Sequence, residues 1–83
     1  MGTVTHKQID AAISILTAAL ENTTKEKTDR AFVSDHESFG ALSEEYYEAL
    51  EALRRNDSAD YAAELIDVAV VCVFAVAGLL ELD

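Results

Sequence analysis

The sequence has no proline and only three glycines among its 83 residues. Because both residue types interrupt helices and build turns, their scarcity favours long helices over a β-sandwich with many turns. A chain of this length is expected to form a single domain, residues 1–83, with a limited core of its own. Apolar residues nevertheless make up 51% of it. Part of its apolar surface is therefore expected to be buried by another copy of the chain.

Cysteine and basic residues are scarce as well. Cys72 is the only cysteine in the sequence, and its apolar neighbours predict a buried core thiol. The 6 Lys and Arg residues stand against 16 Asp and Glu residues, which gives a formal net charge of −10. Such a charge repels nucleic-acid backbones and predicts that no nucleic acid is a partner.

A targeting or membrane segment is not indicated by the sequence. The N-terminus lacks the basic region and the apolar run of a signal peptide, which predicts a cytoplasmic protein. The long uncharged segment at residues 68–80 has 13 residues, fewer than the roughly 20 that span a bilayer. Because Glu64 and Asp67 lie directly before it, this segment predicts a helix buried on most sides by protein, with no membrane association.

The first predicted helix covers about residues 6–21. Thr5 and Gln8 have the spacing of a capping box, in which each side chain accepts a hydrogen bond from the other residue's backbone N–H. The apolar residues that follow recur at helical spacing and define one face: Ile9, Ala12, Ile13, Leu16 and Leu20. The polar residues 22–33 are expected to form a connection.

The second predicted helix covers about residues 35–55, and Ser34 with Glu37 supplies its capping box. Asn56 follows as a left-handed C-terminal cap. The predicted core stripe consists of Phe39, Leu42, Tyr46, Ala49, Leu50 and Leu53.

A third helix is predicted at about residues 58–77, with Asp57 or Ser58 as its N-terminal cap and Gly78 as its end. The short loop between the second and third helices makes them antiparallel neighbours. The predicted fold is all-α, with three helices that include one antiparallel pair.

Two pairs of acidic residues lie on these neighbouring helices. On the second helix, Glu45 and Glu48 share one flank, beside the small residues Ala41 and Ala52, which leave room for a ligand. On the third helix, Glu64 and Asp67 are the only charged residues between positions 61 and 80. Burying two carboxylates on an apolar helix costs free energy unless something compensates their charge.

The two pairs lie at similar distances from the loop. Glu48 is about nine positions before it and Glu64 about seven positions after it, so their heights agree within one turn. Each pair alone is common on a solvated helix face, but both pairs at one height predict a shared site for a divalent cation. Carboxylate oxygens are the ligands that Mg²⁺ prefers, and Mn²⁺ can take its place.

The string Glu44-Glu45-x-x-Glu48 followed by Glu64-x-x-Asp67 resembles the signature of the MazG-like all-α nucleotide pyrophosphohydrolases. The resemblance covers about residues 35–80. It implies Mg²⁺-dependent hydrolysis of nucleoside triphosphates, with or without the 2′-hydroxyl, to the monophosphate and pyrophosphate. It also implies a helical bundle formed by a homodimer or a dimer of dimers.

The resemblance further implies a role for each acid. Glu45, Glu48, Glu64 and Asp67 would be the metal ligands. Glu44 and Glu45 would be the catalytic acids, and Glu44 would orient the attacking water or complete the metal shell.

Binding of the triphosphate would require basic residues. Longer members of the family continue with another helix and basic residues, whereas this sequence has no Lys or Arg after Arg55. The candidates for phosphate binding are Lys25, Lys27, Arg30, Arg54 and Arg55. His36 could contact the base or phosphate, or simply be an exposed residue at a helix start.

Three other functions compete with this one. A catalytically idle MazG-like module that binds metal, nucleotide or a partner protein stays open. A di-iron or di-manganese bundle normally has a Glu-x-x-His motif, and no histidine follows a glutamate at that spacing here. An acidic interaction protein would explain the net charge but not Glu64 and Asp67 on an apolar helix.

Overall fold

The described residues, 2–26 and 30–81, form three helices and no strand in the computed structural model. The helices are α1 (His6–Glu26), α2 (Asp35–Arg54) and α3 (Ser58–Leu79). The predicted all-α class is therefore confirmed. Helix α2 packs against α3, and α1 packs less extensively against α3.

Helix α1 begins with the predicted capping box. The Thr5 N–H donates to Oε1 of Gln8 at 2.8 Å, and the Gln8 N–H donates to Oγ1 of Thr5 at 3.1 Å. The helix ends at Glu26 rather than at about residue 21. The added residues are polar, and the hydroxyl of one of them, Thr23, donates a hydrogen bond to the carbonyl of Ala19 at 2.9 Å.

Helix α2 is capped at both ends as predicted. Ser34 Oγ accepts from the Glu37 N–H at 3.2 Å, and Glu37 Oε1 accepts from the Val33 N–H at 2.7 Å. Beyond the other end, Asn56 has a φ of 55°, a left-handed conformation that asparagine tolerates better than most residues. This turn lets the Asp57 N–H donate to the Ala52 carbonyl at 3.1 Å.

Helix α3 begins at the predicted cap and ends later than predicted. The Asp57 side chain accepts from the Asp60 N–H at 3.0 Å. Gly78 was expected to end the helix, but it has no positive φ and lies inside α3, which ends at Leu79. A Cβ at Gly78 would lie 3.5 Å from the Cβ of Ala31, so this glycine faces the segment that leads into α2.

The buried core of the described residues consists of two alanines, Ala49 and Ala52. The predicted core stripe of α2 is wrong for half of its members: Phe39, Tyr46 and Leu53 are exposed, whereas Leu42, Ala49 and Leu50 are buried or half-buried. Helix α3 covers only one flank of α2, and the stripe is wider than that flank. Ala52 was expected to leave room for a ligand, but it is fully buried.

The expected burial of α3 is also wrong for the single chain. No residue of α3 is buried, and Cys72, predicted to be a core thiol, is exposed. The two neighbouring helices leave much of α3 uncovered. Within the described residues, α3 is the helix that is long and apolar enough to cross a membrane, although the core helix of a soluble protein passes the same test.

Candidate metal site

Four carboxylates from α2 and α3 converge on one point. They belong to Glu45 and Glu48 of α2 and to Glu64 and Asp67 of α3, and one oxygen of each lies within 4.8 Å of the others. The capped turn between the two helices sets their relative position. The structure thus brings together the four acids that the sequence grouped by their height on the helices.

The four side chains differ in exposure. Glu45 and Glu64 are half-buried, whereas Glu48 and Asp67 are exposed. The sequence predicted burial of both acids on α3, and for Asp67 this is wrong. A step of three residues turns a helix by about 300°, so Asp67 lies about 60° away from Glu64, on the solvent side of the contact with α2.

Two carboxylate oxygens at this point are inaccessible to solvent and lack a partner. Within the described residues, Oε2 of Glu45 and Oε2 of Glu64 are buried and accept no hydrogen bond. An unsatisfied buried acceptor costs free energy, and the cost is higher for a charged group. A bound cation or a shared proton would remove this cost.

Loss of solvation and mutual repulsion both favour protonation. Burial raises the pKa of Glu45 above its ordinary value of 4.5, and the carboxylates of Glu48, Asp67 and Glu64 raise it further. Loss of solvation also raises the pKa of Glu64, to which Glu48, Asp67 and Asp60 add. The structure thus shows an acidic cluster whose charge is not compensated by protein groups, because the same acids that gather there repel one another.

The donor set fits a hard divalent cation. Mg²⁺ binds oxygens at about 2.1 Å, so oxygens on opposite sides of one ion lie about 4.2 Å apart. The 4.8 Å spread of the four oxygens is close to this value, and the two unpartnered oxygens are available as ligands. Small side-chain rotations would bring all four residues to one ion, with water completing its shell.

The other predicted site residues lie outside this cluster or cannot be placed. Glu44 is exposed on α2 and is not among the four converging acids. Arg54 pairs with Glu51 at 3.1 Å. Arg30 is exposed, and Lys27 lies outside the described residues. Of the predicted substrate-binding residues that the structure describes, Arg54 is therefore engaged away from the four acids.

His36 lies at the beginning of α2 and is exposed. It borders a largely apolar cavity of about 590 Å³ between the beginning of α2 and the end of α3, together with Phe39 and Leu42. Because α2 continues from Leu42 to Glu45 in one turn, this cavity lies beside the acidic cluster.

Arg55 shares a cavity with two of the four converging acids. With Glu48 and Glu64 it borders a space of about 250 Å³. Its guanidinium lies 2.7 Å from Asp60 and 3.9 Å from Asp57. From the sequence, Arg55 was only one of five candidates for phosphate binding. Arg55 follows Glu48 by about two helical turns, so the two residues lie on the same side of the helix. This spacing is the sequence feature that could have identified Arg55.

Comparisons of the chain with protein-family models, with curated proteins and with solved structures find no match.

Proposed function

We propose that the chain is a Mg²⁺-dependent nucleoside triphosphate pyrophosphohydrolase that produces a monophosphate and pyrophosphate. The observation that supports the proposal is the convergence of four carboxylates, with two solvent-inaccessible oxygens that no protein group satisfies. Mg²⁺ held there would neutralise phosphate charge and lower the pKa of a water molecule. The MazG-like spacing of the acids supplies the reaction class.

The chain's own groups have separate roles in this proposal. Glu45, Glu48, Glu64 and Asp67 hold the metal through carboxylate oxygens. Glu44 lies next to Glu45 but outside the cluster, where its carboxylate can accept a proton from the attacking water. Water attacks the α-phosphorus, and the bond between that phosphorus and the bridging oxygen of pyrophosphate breaks.

Arg55 is the phosphate-binding residue in this proposal. It borders the same cavity as Glu48 and Glu64, and a guanidinium binds phosphate oxygens through two parallel N–H donors. His36, which is exposed at the beginning of α2, would contact the base or the phosphate. Lys27, Arg30 and Arg54 remain candidates for the outer phosphates, since a partner subunit could bring them to the site.

The proposal also covers the packing of the helices, the assembly of the chains and their cellular compartment. Antiparallel α2 and α3 carry the site, which agrees with the beginning of α2 and the end of α3 bordering one cavity. The chains assemble into a helical bundle as a homodimer or a dimer of dimers, and the protein is cytoplasmic. Nucleoside triphosphate is the substrate.

The second candidate is a catalytically idle module of the same kind, which binds metal and nucleotide or a partner protein. The observation that favours it is the position of the basic side chains. Arg54 is paired with Glu51, and Arg55 with Asp60, so a triphosphate would have to displace existing ion pairs.

The deciding experiment measures pyrophosphate release from eight common ribo- and deoxyribonucleoside triphosphates, with Mg²⁺ or with EDTA. Wild type should turn over at least one nucleotide with Mg²⁺ only. Glu48→Gln should lose both this activity and the rise in Tm caused by Mg²⁺. Glu51→Gln is the matched control for the metal response of the Tm, because Glu51 lies on the same helix but outside the cluster.

The remaining outcomes separate the two candidates. A Mg²⁺-dependent rise in Tm without turnover of any nucleotide favours the idle module. If Mg²⁺ and Mn²⁺ change neither the Tm nor any activity, and Glu48→Gln behaves like Glu51→Gln, the four acids do not form a metal site.

A further inference from the structure

The single chain exposes more surface than a folded monomer of its mass. Its accessible surface is 6753 Å² for 9.0 kDa, whereas monomeric proteins of this mass expose about 4,900 Å². The excess of about 1,900 Å² per chain corresponds to roughly 3,800 Å² for two chains, which is within the range of obligate homodimer interfaces. The two buried alanines are correspondingly too small a core for a stable monomer.

The apolar stripe of α1 is only partly covered. In its second half, Leu16 and Leu20 are half-buried, in keeping with the contact between α1 and α3. In its first half, residues 6–15 are all exposed, including Ile9 at 44% and Ile13 at 55%. One continuous stripe is thus covered by α3 at one end and left open at the other.

An apolar groove long enough to cover the exposed part of this stripe lies elsewhere on the chain. It is the cavity of about 590 Å³ between the beginning of α2 and the end of α3, and its α3 wall runs from Val71 to Leu79. This wall is about 12 Å long, and the exposed part of the stripe, from Ile9 to Ile13, is about 6 Å long, so the wall is long enough to cover it. Within the wall Val76 is 59% exposed and Leu79 68%.

The groove carries little of the chain's negative charge. Two chains that each carry a net charge of −10 repel one another. Among the residues that border the groove, however, Asp35 is the only acid. Two acidic chains can therefore meet here while their acidic faces stay in solvent.

We propose that the groove binds the first half of α1 from a second copy of this chain. Two-fold symmetry then places each α1 in the groove of the partner, so that the contact is self-complementary and closes at a dimer. The stripe of α1 is covered by its own α3 at one end and by the partner at the other. This assignment of surfaces does not depend on hydrolysis or on metal binding.

The test compares two substitutions on the first half of α1 by sedimentation equilibrium. Ile13→Asp changes the stripe, whereas Ile15→Asp changes a side chain about 120° away from the stripe axis that is equally exposed, at 58%. Because symmetry places the change in the interface twice, Ile13→Asp should weaken self-association about 100-fold. Ile15→Asp should keep the wild-type mass.

A second pair tests the groove on α3. Val76→Asp should weaken self-association like Ile13→Asp, and the neighbouring exposed Ala77, which does not border the groove, provides the control Ala77→Asp. The Tm of wild type should rise with protein concentration, since dissociation accompanies unfolding. This measurement tests self-association of the wild type even if a variant fails to fold.

Three results overturn the proposal. One is a wild type that is monomeric and melts at a concentration-independent Tm. Another is equal self-association of Ile13→Asp and Ile15→Asp, or of Val76→Asp and Ala77→Asp. The third is a wild type that is monomeric in buffer and binds phosphatidylcholine vesicles, which would assign the exposed apolar surface to a membrane.

Discussion

Glu45 on α2 and Glu64 on α3 each hold one carboxylate oxygen, Oε2, out of solvent and without a hydrogen-bond partner. Both residues belong to the cluster whose oxygens lie within 4.8 Å of one another. Two acids in this arrangement repel each other while neither gains a compensating donor. Electrostatic repulsion therefore destabilises the site when no metal is bound. This repulsion has testable consequences that do not require the substrate to be known.

The first prediction concerns removal of one of these charges. Glu45→Gln should raise the metal-free Tm by about 2–4 °C, equivalent to roughly 0.5 kcal/mol after solvent screening. The amide keeps the shape of the side chain, and its loss of charge relieves repulsion by the three remaining acids. Differential scanning calorimetry in EDTA measures the change.

The control for this prediction is Glu51→Gln, because Glu51 lies on the same helix and pairs with Arg54 in solvent. It should leave the Tm unchanged or slightly lower, since an exposed ion pair contributes little. An unchanged or lower Tm for Glu45→Gln would show that protein groups already compensate the charge of the cluster.

The second prediction concerns pH. The pKa values of Glu45 and Glu64 are raised above 4.5 in the folded chain, so the folded state binds protons more tightly than the unfolded state. The stabilising contribution of these two groups is fully present below pH 4.5 and is lost as the pH rises through their folded pKa values. In EDTA, the free energy of unfolding that they contribute should therefore increase as the pH falls from neutrality.

Mg²⁺ should reverse this dependence, because metal ligands must be deprotonated. The difference in Tm between Mg²⁺ and EDTA should be largest near neutral pH and should vanish towards pH 4.5, the ordinary pKa of glutamate. The double variant Glu45→Gln/Glu64→Gln keeps all other charges and isolates the effect of these two. An Mg²⁺ effect that persists at low pH would place the metal elsewhere.

The third prediction concerns the turn that joins α2 to α3. Asn56 has a φ of 55°, where a Cβ costs roughly 1 kcal/mol unless the side chain is Asn or Asp. Asn56→Ala should lower the free energy of unfolding by about this amount, and Asn56→Gly should not lower it. Urea unfolding of the two variants checks the difference. Equal stabilities would contradict the left-handed turn.

The sequence predicted the local structure better than the packing. Capping by Thr5 and Ser34 and the left-handed Asn56 depend on neighbours within a few residues, and the structure contains all three. The convergence of the four acids likewise depends on a short loop and a fixed helical rise. The burial predicted for Phe39 and Cys72 depends on what covers them, which the residues of one chain do not specify.

The same distinction explains why only part of the candidate site could be predicted. The position of the acids along α2 and α3 follows from helix geometry, so their grouping could be predicted. The partners of basic residues depend on side-chain competition at the surface, where Asp60 binds Arg55 and Glu51 binds Arg54. The spacing of charges in the sequence does not indicate which of these pairs a phosphate would displace.

The last prediction separates these two arginines. Arg55 borders the cavity that Glu48 and Glu64 also border, so a phosphate bound to metal at the acids would lie within its reach. Arg55→Gln should weaken binding of Mg²⁺-pyrophosphate about 10-fold or more, because a charge-assisted hydrogen bond to phosphate contributes about 1.5–3 kcal/mol. Isothermal titration calorimetry with and without Mg²⁺ measures this binding.

Arg54→Gln is the matched control, since it removes the same charge one residue earlier on the helix while Arg54 does not border that cavity. It should change the affinity less than Arg55→Gln and in proportion to net charge alone. Arg55 also pairs with Asp60 at 2.7 Å, so Asp60→Asn should free its guanidinium. This substitution should increase the affinity for Mg²⁺-pyrophosphate when Arg55 is present, but not when it is combined with Arg55→Gln. Equal losses for the two arginine variants would mean that Arg55 acts only through the general field of the protein.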